Sequence, residues 1–316
     1  MKILVTGACG YKGTVLVPKL IERGHDVIAF DIQWFGNFLA PHPNLHVVKG
    51  DIRNIDEVDL NGIEAIIHLS SVANDPCSDL DPQLTWEISC LATMQLADRA
   101  SRLGIKRFIY ASSGSVYGVS DAPQVTEDLE LFPISEYNKT KMCGERIVLS
   151  YKERMTVQIV RPATVCGYSP RMRLDVAVNL LTMAALENGR ITVLGGDQTR
   201  PNIHIDDITD LYIFLLDHPE HTGVFNAGFE NISILDIAKM VQRHVNAEID
   251  IKPSNDPRSY RVNSDRLLAT GFRPKKTVED AIKELAGLHR QGALKNEEHF
   301  HNLKWMMKNI LDTGSK

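Results

Sequence analysis

A glycine-rich turn near the start of the chain constrains the fold more than any other feature of the sequence. The apolar residues 3–5 before it are typical of a short buried strand, and residues 14–21 after it carry the apolar spacing of a helix packed on a sheet. A second apolar run, residues 27–30, ends in Asp31. A strand, a glycine turn, a helix and a second strand that ends in an acidic residue form a dinucleotide-binding unit.

Each glycine of the turn meets a separate physical demand. Gly7 lets the chain turn sharply out of the strand, Gly10 lets the backbone approach a pyrophosphate, and Gly13 lets the helix lie close to the strand. The start of the helix, beside Tyr11, offers free N–H groups and a positive dipole end to the phosphates. Asp31 is expected to accept hydrogen bonds from the adenosine ribose and to repel a 2′-phosphate. These five residues therefore predict a site for NAD rather than NADP.

Strand and helix patterns alternate through the first half of the chain. This alternation predicts a Rossmann-type α/β fold, in which helices cover both faces of a doubly wound parallel sheet. The chain has 316 residues, enough for one large domain or two modest ones. We predict an NAD-binding Rossmann domain over residues 1–165 and a smaller, discontinuous substrate-binding domain over residues 166–316. Part of the second half, about residues 200–230, is expected to return to the Rossmann domain.

Composition and charge exclude several classes of protein. Hydrophobic residues make up 43% of the chain and charged residues 24%, and the net charge of −5 gives no reason to expect nucleic acid or a membrane surface as a partner. The apolar runs have the length of strands rather than of membrane spans, and the N-terminus lacks a signal-peptide pattern. The five cysteines are scattered, which predicts free thiols in a reducing compartment, so we expect a cytoplasmic protein.

Two further strands are expected to complete the cofactor site. Residues 46–50 form a strand that leads to Asp51, which is well placed to accept from the adenine amino group, with Ile52 against the ring. Asp51 could instead cap a helix, and one aspartate can do only one of these jobs well. Residues 65–71 form a strand and a turn of small residues, where the backbone near Leu69 is expected to lie against the diphosphate and the nicotinamide ribose.

Two motifs carry the candidate chemistry. The serine-rich residues 112–118 follow a strand at residues 107–111, and residues 137–141 open a helix with the sequence Tyr-Asn-Lys-Thr-Lys. Tyr137 and Lys141 lie on one helix face, about 5–6 Å apart at Cβ. The lysine ammonium is expected to favour the phenolate and to lower the pKa of the tyrosine. The tyrosine could then act as a general acid/base on a substrate hydroxyl, with a serine gripping the same oxygen and the lysine holding the nicotinamide ribose.

These motifs together resemble the extended short-chain dehydrogenase/reductase family, and within it the NAD-dependent sugar-nucleotide epimerases and dehydratases. The resemblance covers nearly the whole chain and is carried by residues 6–13, 51–53, 68–71, 112–118 and 137–141. It implies that Ser113 is the catalytic serine, Tyr137 the acid/base and Lys141 its partner. It also implies that Ser115 contacts the substrate and that the protein holds NAD tightly.

One departure from the family pattern narrows the expected reaction. Members that dehydrate or decarboxylate carry carboxylates just after the catalytic serine position, where this chain has Gly114 and Ser115. The pattern therefore favours 4-epimerisation through a transient 4-keto sugar. The alternative is net oxidation or reduction at C4, for example of a GDP-heptose or a hexose. A third hypothesis is a non-catalytic NAD-sensing protein, against which the intact Ser113, Tyr137 and Lys141 argue.

The second half is expected to bind a nucleotide-diphosphate sugar. Thr164 stands where the galactose-epimerase branch has an asparagine that helps hold the diphosphate, so the base stays unassigned. Arg171 and Arg173 could address a diphosphate, or they could form surface salt bridges. Arg200 matches a family arginine that grips the substrate diphosphate, and Arg258 is expected to supply a second cation there.

No metal site is predicted. His299 and His301, with the glutamates beside them, have a spacing that suits no standard helical zinc site. His68, on an apolar strand, is expected to be a core histidine. The tail, about residues 296–311, has an apolar helical face that could cover the core or form a subunit contact, and we expect a homodimer.

Overall fold

The sheets organise the structure, a computed structural model that describes residues 1–120, 122–254 and 259–311. In chain order the strands are β1 (Lys2–Thr6), β2 (Asp26–Asp31), β3 (Leu45–Lys49), β4 (Ala65–His68), β5 (Arg107–Ala111), β6 (Thr156–Pro162), β7 (Thr164–Cys166), β8 (Arg190–Leu194), β9 (Thr199–His204), β10 (Gly223–Ala227), β11 (Glu230–Ser233) and β12 (Glu248–Lys252). A seven-stranded sheet has the order β10-β6-β5-β4-β1-β2-β3, and every neighbouring pair in it is parallel.

Helices cover this sheet and fill the second half of the chain. In chain order the α-helices are α1 (Gly13–Glu22), α2 (Asp75–Leu80), α3 (Pro82–Trp86), α4 (Ala92–Arg102), α5 (Glu136–Leu149), α6 (Ala177–Asn188), α7 (Ile205–Asp217), α8 (Ile234–His244), α9 (Asp265–Ala269), α10 (Val278–Arg290) and α11 (Asn302–Met306). The strand order reverses between β1 and β4, and such a switch point leaves a crevice at the carboxyl ends of the strands.

Helices cover both faces of the main sheet. Neighbouring residues of a strand point to opposite faces, so each strand contributes side chains to both buried layers. Ile3 and Val5 of β1 lie in an apolar cluster with residues of α1 and α7, whereas Leu4 lies in a second cluster with residues of α4. The near-continuous apolar runs of the sequence reflect this double coverage. The predicted doubly wound α/β fold is therefore confirmed.

The second half of the chain adds two small sheets and a third apolar cluster. The small sheets have the orders β11-β9-β7 and β12-β8. The cluster packs α6, α8 and α10 together through residues such as Leu181, Val241 and Ile282. Strand β10 lies at the edge of the main sheet, beside β6. The division into two domains at residue 165 stays a prediction.

The C-terminal tail packs against its own chain. Met306 is buried in the cluster that contains Leu4, and Leu303 and Ile310 pack against that cluster. The Trp305 Nε1–H donates to the Trp34 carbonyl at 2.7 Å. Of the two roles expected for the tail, the structure therefore shows the covering one, and the homodimer stays a prediction. Among the residues described, the helices include none with both the length and the apolar character that crossing a membrane requires.

Candidate active site

A cavity of about 650 Å³ lies at the carboxyl ends of the strands of the main sheet. All but one of the predicted site residues line it. They are Gly7, Gly10, Tyr11, Gly13, Asp31, Asp51, Ile52, Leu69, Ser113, Ser115, Tyr137, Lys141, Thr164, Arg171, Arg173 and Arg200. The exception, Arg258, lies outside the residues that the structure describes. Residues that are spread over nearly two hundred positions thus meet in one crevice.

The glycine turn has the tight geometry that a bound diphosphate requires. Gly7 has a φ of +70°, and a Cβ there would come within 2.7 Å of the Ser70 backbone nitrogen. A Cβ on Gly13 would overlap the backbone of Ala8, including its carbonyl, which explains why α1 can begin so close to β1. The cradle and the helix start above it fit the diphosphate of a dinucleotide.

Asp31 is held in place at the end of β2 by two backbone donors. The Cys9 N–H donates to its carboxylate at 3.0 Å and the Gln33 N–H at 2.6 Å. Burial raises the pKa of Asp31, although these two hydrogen bonds oppose the rise. The carboxylate therefore lines the cavity in a fixed orientation, and its position fits the predicted role towards an adenosine ribose.

Asp51 is a helix cap in the structure. It precedes a 3-10 helix, Ile52–Glu57, and accepts from the Arg53 backbone N–H at 2.9 Å and from the Arg53 guanidinium at 2.6 and 2.9 Å. Burial alone would raise the pKa of Asp51, but the hydrogen bonds and charge of Arg53 outweigh it and lower the pKa. Of the two roles left open by the sequence, capping is the one observed, and the adenine contact stays a prediction.

The predicted catalytic residues converge at the other end of the cavity. Tyr137 lies in the first turn of α5, whose N-cap Ser135 accepts from the Asn138 N–H. Ser113, the N-cap of the 3-10 helix Gly114–Tyr117 that follows β5, is close enough to Tyr137 to lower the pKa of its hydroxyl. The Lys141 Nζ lies 6.0 Å from the centroid of the Tyr137 ring. The serine, the tyrosine and the lysine are therefore neighbours in space.

The pKa of Tyr137 differs from the expectation. Burial raises this pKa by more than the nearby Ser113 side chain lowers it. Lys141 donates to the Ala111 carbonyl at 2.7 Å, and its own pKa is lowered to about 7, by burial first and by the charge of Lys12 second. The prediction that Lys141 lowers the pKa of Tyr137 is wrong for the protein chain by itself. Desolvation is the largest influence on the pKa of each group, and it penalises the charged form of both.

Beneath the serine turn lies a buried ion pair that the sequence analysis missed. The Arg161 guanidinium donates to Glu145 at 2.9 and 2.7 Å, and the two side chains are only 5% and 2% exposed. The Ser112 hydroxyl donates to the same carboxylate at 2.5 Å, and Arg161 also donates to the Tyr117 hydroxyl at 2.7 Å. Glu145 lies one helical turn after Lys141, a spacing that could have suggested it. Its partner on β6 is visible only in three dimensions.

The substrate end of the cavity contains two aspartates that the sequence analysis did not single out. Asp75 accepts from the N-cap hydroxyl of Ser135 at 2.5 Å, and its charge acts on Tyr137. Asp175 pairs with Arg173 at 3.0 Å and accepts from the Asn74 amide at 3.2 Å. The inference that the position after Ser113 lacks a carboxylate holds, but carboxylates do line the cavity itself.

The two arginines of the 171–173 segment are buried rather than on the surface. Arg173 pairs with Asp175 inside the cavity, and Arg171 is 2% exposed. Neither forms the surface salt bridge that the sequence left open. The Ser115 hydroxyl, predicted to contact the substrate, is already hydrogen-bonded within the chain. It donates to the Asn138 side chain at 2.5 Å and lies 2.7 Å from the hydroxyl of Ser113.

His68 and His218 are hydrogen-bonded within the chain and do not line the cavity. His68 is fully buried and hydrogen-bonds Thr6 at 2.6 Å and Thr93 at 2.9 Å, as expected of a core histidine. Among the described residues, His218, Glu220 and His221 form a group whose potential ligand atoms lie within 4.8 Å of one another. None of these three lines the cavity, and the His218 ring is already hydrogen-bonded to Glu220 at 2.9 Å.

Comparisons with known proteins agree with this geometry. The sequence model of the NAD dependent epimerase/dehydratase family matches residues 3–228. An uncharacterized protein of Sinorhizobium fredii, y4nG, is 34% identical over 66% of this chain, and the matched part spans 52% of that relative. A UDP-glucose 4-epimerase of Lactobacillus helveticus is 27% identical over 89% of this chain and 95% of its own length. The solved structure of a UDP-glucuronic acid 4-epimerase from Bacillus cereus, in complex with UDP-glucuronic acid and NAD, is 27% identical. It covers 92% of this chain and 99% of its own, with a TM-score of 0.78.

Proposed function

Since this chain belongs to the NAD dependent epimerase/dehydratase family, we propose that it is a nucleotide-sugar 4-epimerase acting through a transient 4-keto sugar. It is an NAD-dependent enzyme by its family. The observation that carries the finer proposal is that Ser113, Tyr137 and Lys141 line the same cavity as the Asp31 carboxylate, with the Lys141 Nζ 6.0 Å from the centroid of the Tyr137 ring. One acid/base next to a dinucleotide site is what oxidation and re-reduction of a single carbinol carbon requires.

Tyr137 moves the proton in the proposed reaction. It takes the proton from the C4 hydroxyl of the sugar and later returns it, while Ser113 holds the same oxygen by a hydrogen bond. The chemistry that NAD supplies when bound is acceptance and return of a hydride. Burial opposes a charge on Tyr137 and on Lys141 alike, so the phenolate and the ammonium are most favourable as an adjacent pair without net charge. Lys141 thus supports the phenolate at the moment it forms.

The substrate class rests on the cations of the cavity and on the relatives. Arg173 and Arg200 line the cavity, and a planar guanidinium suits a diphosphate better than an ammonium does. The epimerases among the relatives act, by their names, on UDP-sugars. Thr164, in place of an asparagine, leaves the base open. The second candidate, a nucleotide-sugar 4-dehydrogenase or 4-ketoreductase, uses the same residues and differs only in releasing the keto product.

The test is an incubation of the purified chain with a panel of UDP-, GDP-, CDP- and dTDP-sugars, followed by mass spectrometry and NMR. A product of unchanged mass with inverted C4 supports the epimerase. A loss or gain of two hydrogens with a matching change in NADH supports the second candidate instead. Tyr137→Phe removes only the acid/base hydroxyl and is expected to slow turnover by about 10²- to 10⁴-fold while NADH still binds. Turnover of Tyr137→Phe at the wild-type rate, or no turnover of any sugar by the wild type, contradicts the proposal.

A further inference from the structure

Arg171 is the most deeply buried cation of the cavity wall, and its hydrogen bonding is incomplete. It is 2% exposed, and its guanidinium carbon lies 4.0 Å from the centroid of the Phe35 ring. One terminal nitrogen donates to the Asn302 side chain at 2.6 Å and the other to the Met172 carbonyl at 3.2 Å, whereas Nε–H is buried without an acceptor. Within the described part of the chain, no carboxylate forms an ion pair with it. A buried cation in this state calls for an anionic partner.

The segment that carries Arg171 is fastened to the glycine turn. The Tyr11 hydroxyl donates to the Gly167 carbonyl at 2.7 Å, and the Ser169 hydroxyl donates to the Tyr11 carbonyl at 2.8 Å. The Ser169 hydroxyl also lies 2.8 Å from that of Thr14 in the first turn of α1. Arg171 follows two residues later, so its backbone lies close to the turn that is predicted to hold the cofactor phosphates.

Arg171 and its neighbour Arg173 have different partners in the wall of the cavity. The Arg173 guanidinium is already paired with Asp175, and its charge acts on Tyr11 and Lys12 of the glycine turn as well as on Tyr137. The charge of Arg171 acts on Asp31, and its ring partner Phe35 belongs to the loop that follows Asp31. Although the two arginines are only two residues apart, Arg173 therefore has a carboxylate partner, whereas Arg171 lies against the loop that follows Asp31 and forms no ion pair with a described carboxylate.

We propose that Arg171 binds the diphosphate of NAD, so that it serves the cofactor and not the substrate diphosphate. The diphosphate carries the negative charge that the guanidinium lacks in the protein, and its oxygens offer the acceptor that Nε–H lacks. Asn302 acts as a positioning residue, because it holds the guanidinium from α11. The C-terminal tail is thereby part of the cofactor site. The proposal rests on the NAD dependence of the family and not on the sugar reaction.

The test measures nucleotide binding by the full-length chain after bound nucleotide has been removed. NADH, ADP, adenosine and UDP are titrated into the wild type and Arg171→Met by fluorescence or calorimetry. Loss of one charge-assisted hydrogen-bonding group is expected to raise the Kd of NADH and of ADP by about 10- to 100-fold. The Kd values of adenosine and UDP are expected to stay within about twofold, because neither depends on a contact between Arg171 and the cofactor diphosphate.

Three further variants separate binding from folding. Arg190→Met is the matched control, because Arg190 is exposed and pairs only with Asp250 among the charged groups described, and it should leave the Kd of NADH unchanged. Arg171→Lys keeps the charge and should recover part of the lost affinity. Asn302→Ala should raise the Kd of NADH by a smaller factor, about 3- to 10-fold. If Arg171→Met is unfolded by circular dichroism, the last two variants decide the question.

Three results would overturn the proposal. The first is an unchanged Kd of NADH in folded Arg171→Met, or in Arg171→Lys and Asn302→Ala together. The second is a loss of UDP affinity with NADH affinity retained, which would assign Arg171 to the substrate diphosphate. The third is an equal loss for adenosine and ADP, which would assign the contact to the adenosine. A sugar panel without turnover leaves these binding results unaffected, so failure of the 4-epimerase proposal is distinguishable from failure of this one.

Discussion

The buried ion pair of Glu145 and Arg161 offers the sharpest test of how the segment that carries Ser112 and Ser113 is stabilised. Glu145→Gln keeps the shape of the side chain and removes its charge. In the structure the carboxylate accepts two hydrogen bonds from Arg161 and one from Ser112, the residue before Ser113, the proposed catalytic serine. The change therefore leaves a guanidinium buried without its counter-charge.

The size of the effect follows from the burial of both partners. The side chains are 2% and 5% exposed, so water cannot replace the lost interaction. Breaking a buried ion pair by removal of one partner costs about 3–5 kcal/mol, a large share of the roughly 5–15 kcal/mol that stabilises a typical domain. Replacement of both partners removes both desolvation penalties. Glu145→Met/Arg161→Met should therefore lose less than the sum of the two single variants.

The assay is equilibrium unfolding in urea, followed by circular dichroism, on the wild type, Glu145→Gln, the single variants Glu145→Met and Arg161→Met, and the double variant. Glu298→Gln is the matched control, because Glu298 pairs with Lys308 at 2.8 Å but both side chains are at least half exposed. This exposed pair should contribute at most about 1 kcal/mol.

Two outcomes would refute the reasoning about this pair. One is a decrease in the free energy of unfolding for Glu145→Gln that is no larger than the decrease for Glu298→Gln. The other is a double variant whose loss equals the sum of the single losses, because additivity would mean that the two side chains do not interact.

Three further predictions concern the cofactor site. Gly7→Ala places a Cβ 2.7 Å from the Ser70 nitrogen at a φ of +70°. The control is Gly62→Ala, because Gly62 has a similar φ of +75° but open space around it. Gly7→Ala should lower the free energy of unfolding by about 1–3 kcal/mol more than this control, and equal losses would contradict the clash. Burial lowers the pKa of Lys141 from 10.5 to about 7, so between these pH values the unfolded chain binds more protons and stability rises with pH. Lys141→Met should reduce this slope by up to about 1.4 kcal/mol per pH unit in urea unfolding, and an unchanged slope would mean that the folded lysine keeps its proton. Asp31→Ala should raise the Kd of NADH by about tenfold or more in fluorescence titrations and raise the affinity for NADPH relative to NADH. An unchanged ratio of the two Kd values would show that Asp31 does not face the ribose.

The sequence predicted the parts of the molecule that depend on local pattern. The strands β1, β2, β4 and β5 are short apolar runs, and the demands on Gly7 and Gly13 follow from backbone geometry at a single turn. The YxxxK spacing likewise places two side chains on one helix face whatever surrounds the helix. For these features the neighbouring residues in the chain are enough.

The sequence could not predict features that arise from burial or from distant elements. Arg161 meets Glu145 only because α5 packs against β6, and Arg171 meets Asn302 across more than a hundred residues. The pKa of Tyr137 was predicted in the wrong direction because pairing was considered and desolvation was not. The same omission explains why the arginines at 171 and 173 looked as suited to the surface as to the cavity.

The most direct test of the 4-epimerase proposal follows the hydrogen at C4. A nucleotide sugar from the panel that turns over is prepared with deuterium at C4 and incubated with the enzyme, and the product is analysed by NMR and mass spectrometry. The proposal predicts a C4 epimer of unchanged mass that keeps its deuterium at C4, because the hydride leaves and returns within one site. Deuterium that appears in released cofactor, or that is replaced by hydrogen from the solvent, would contradict it.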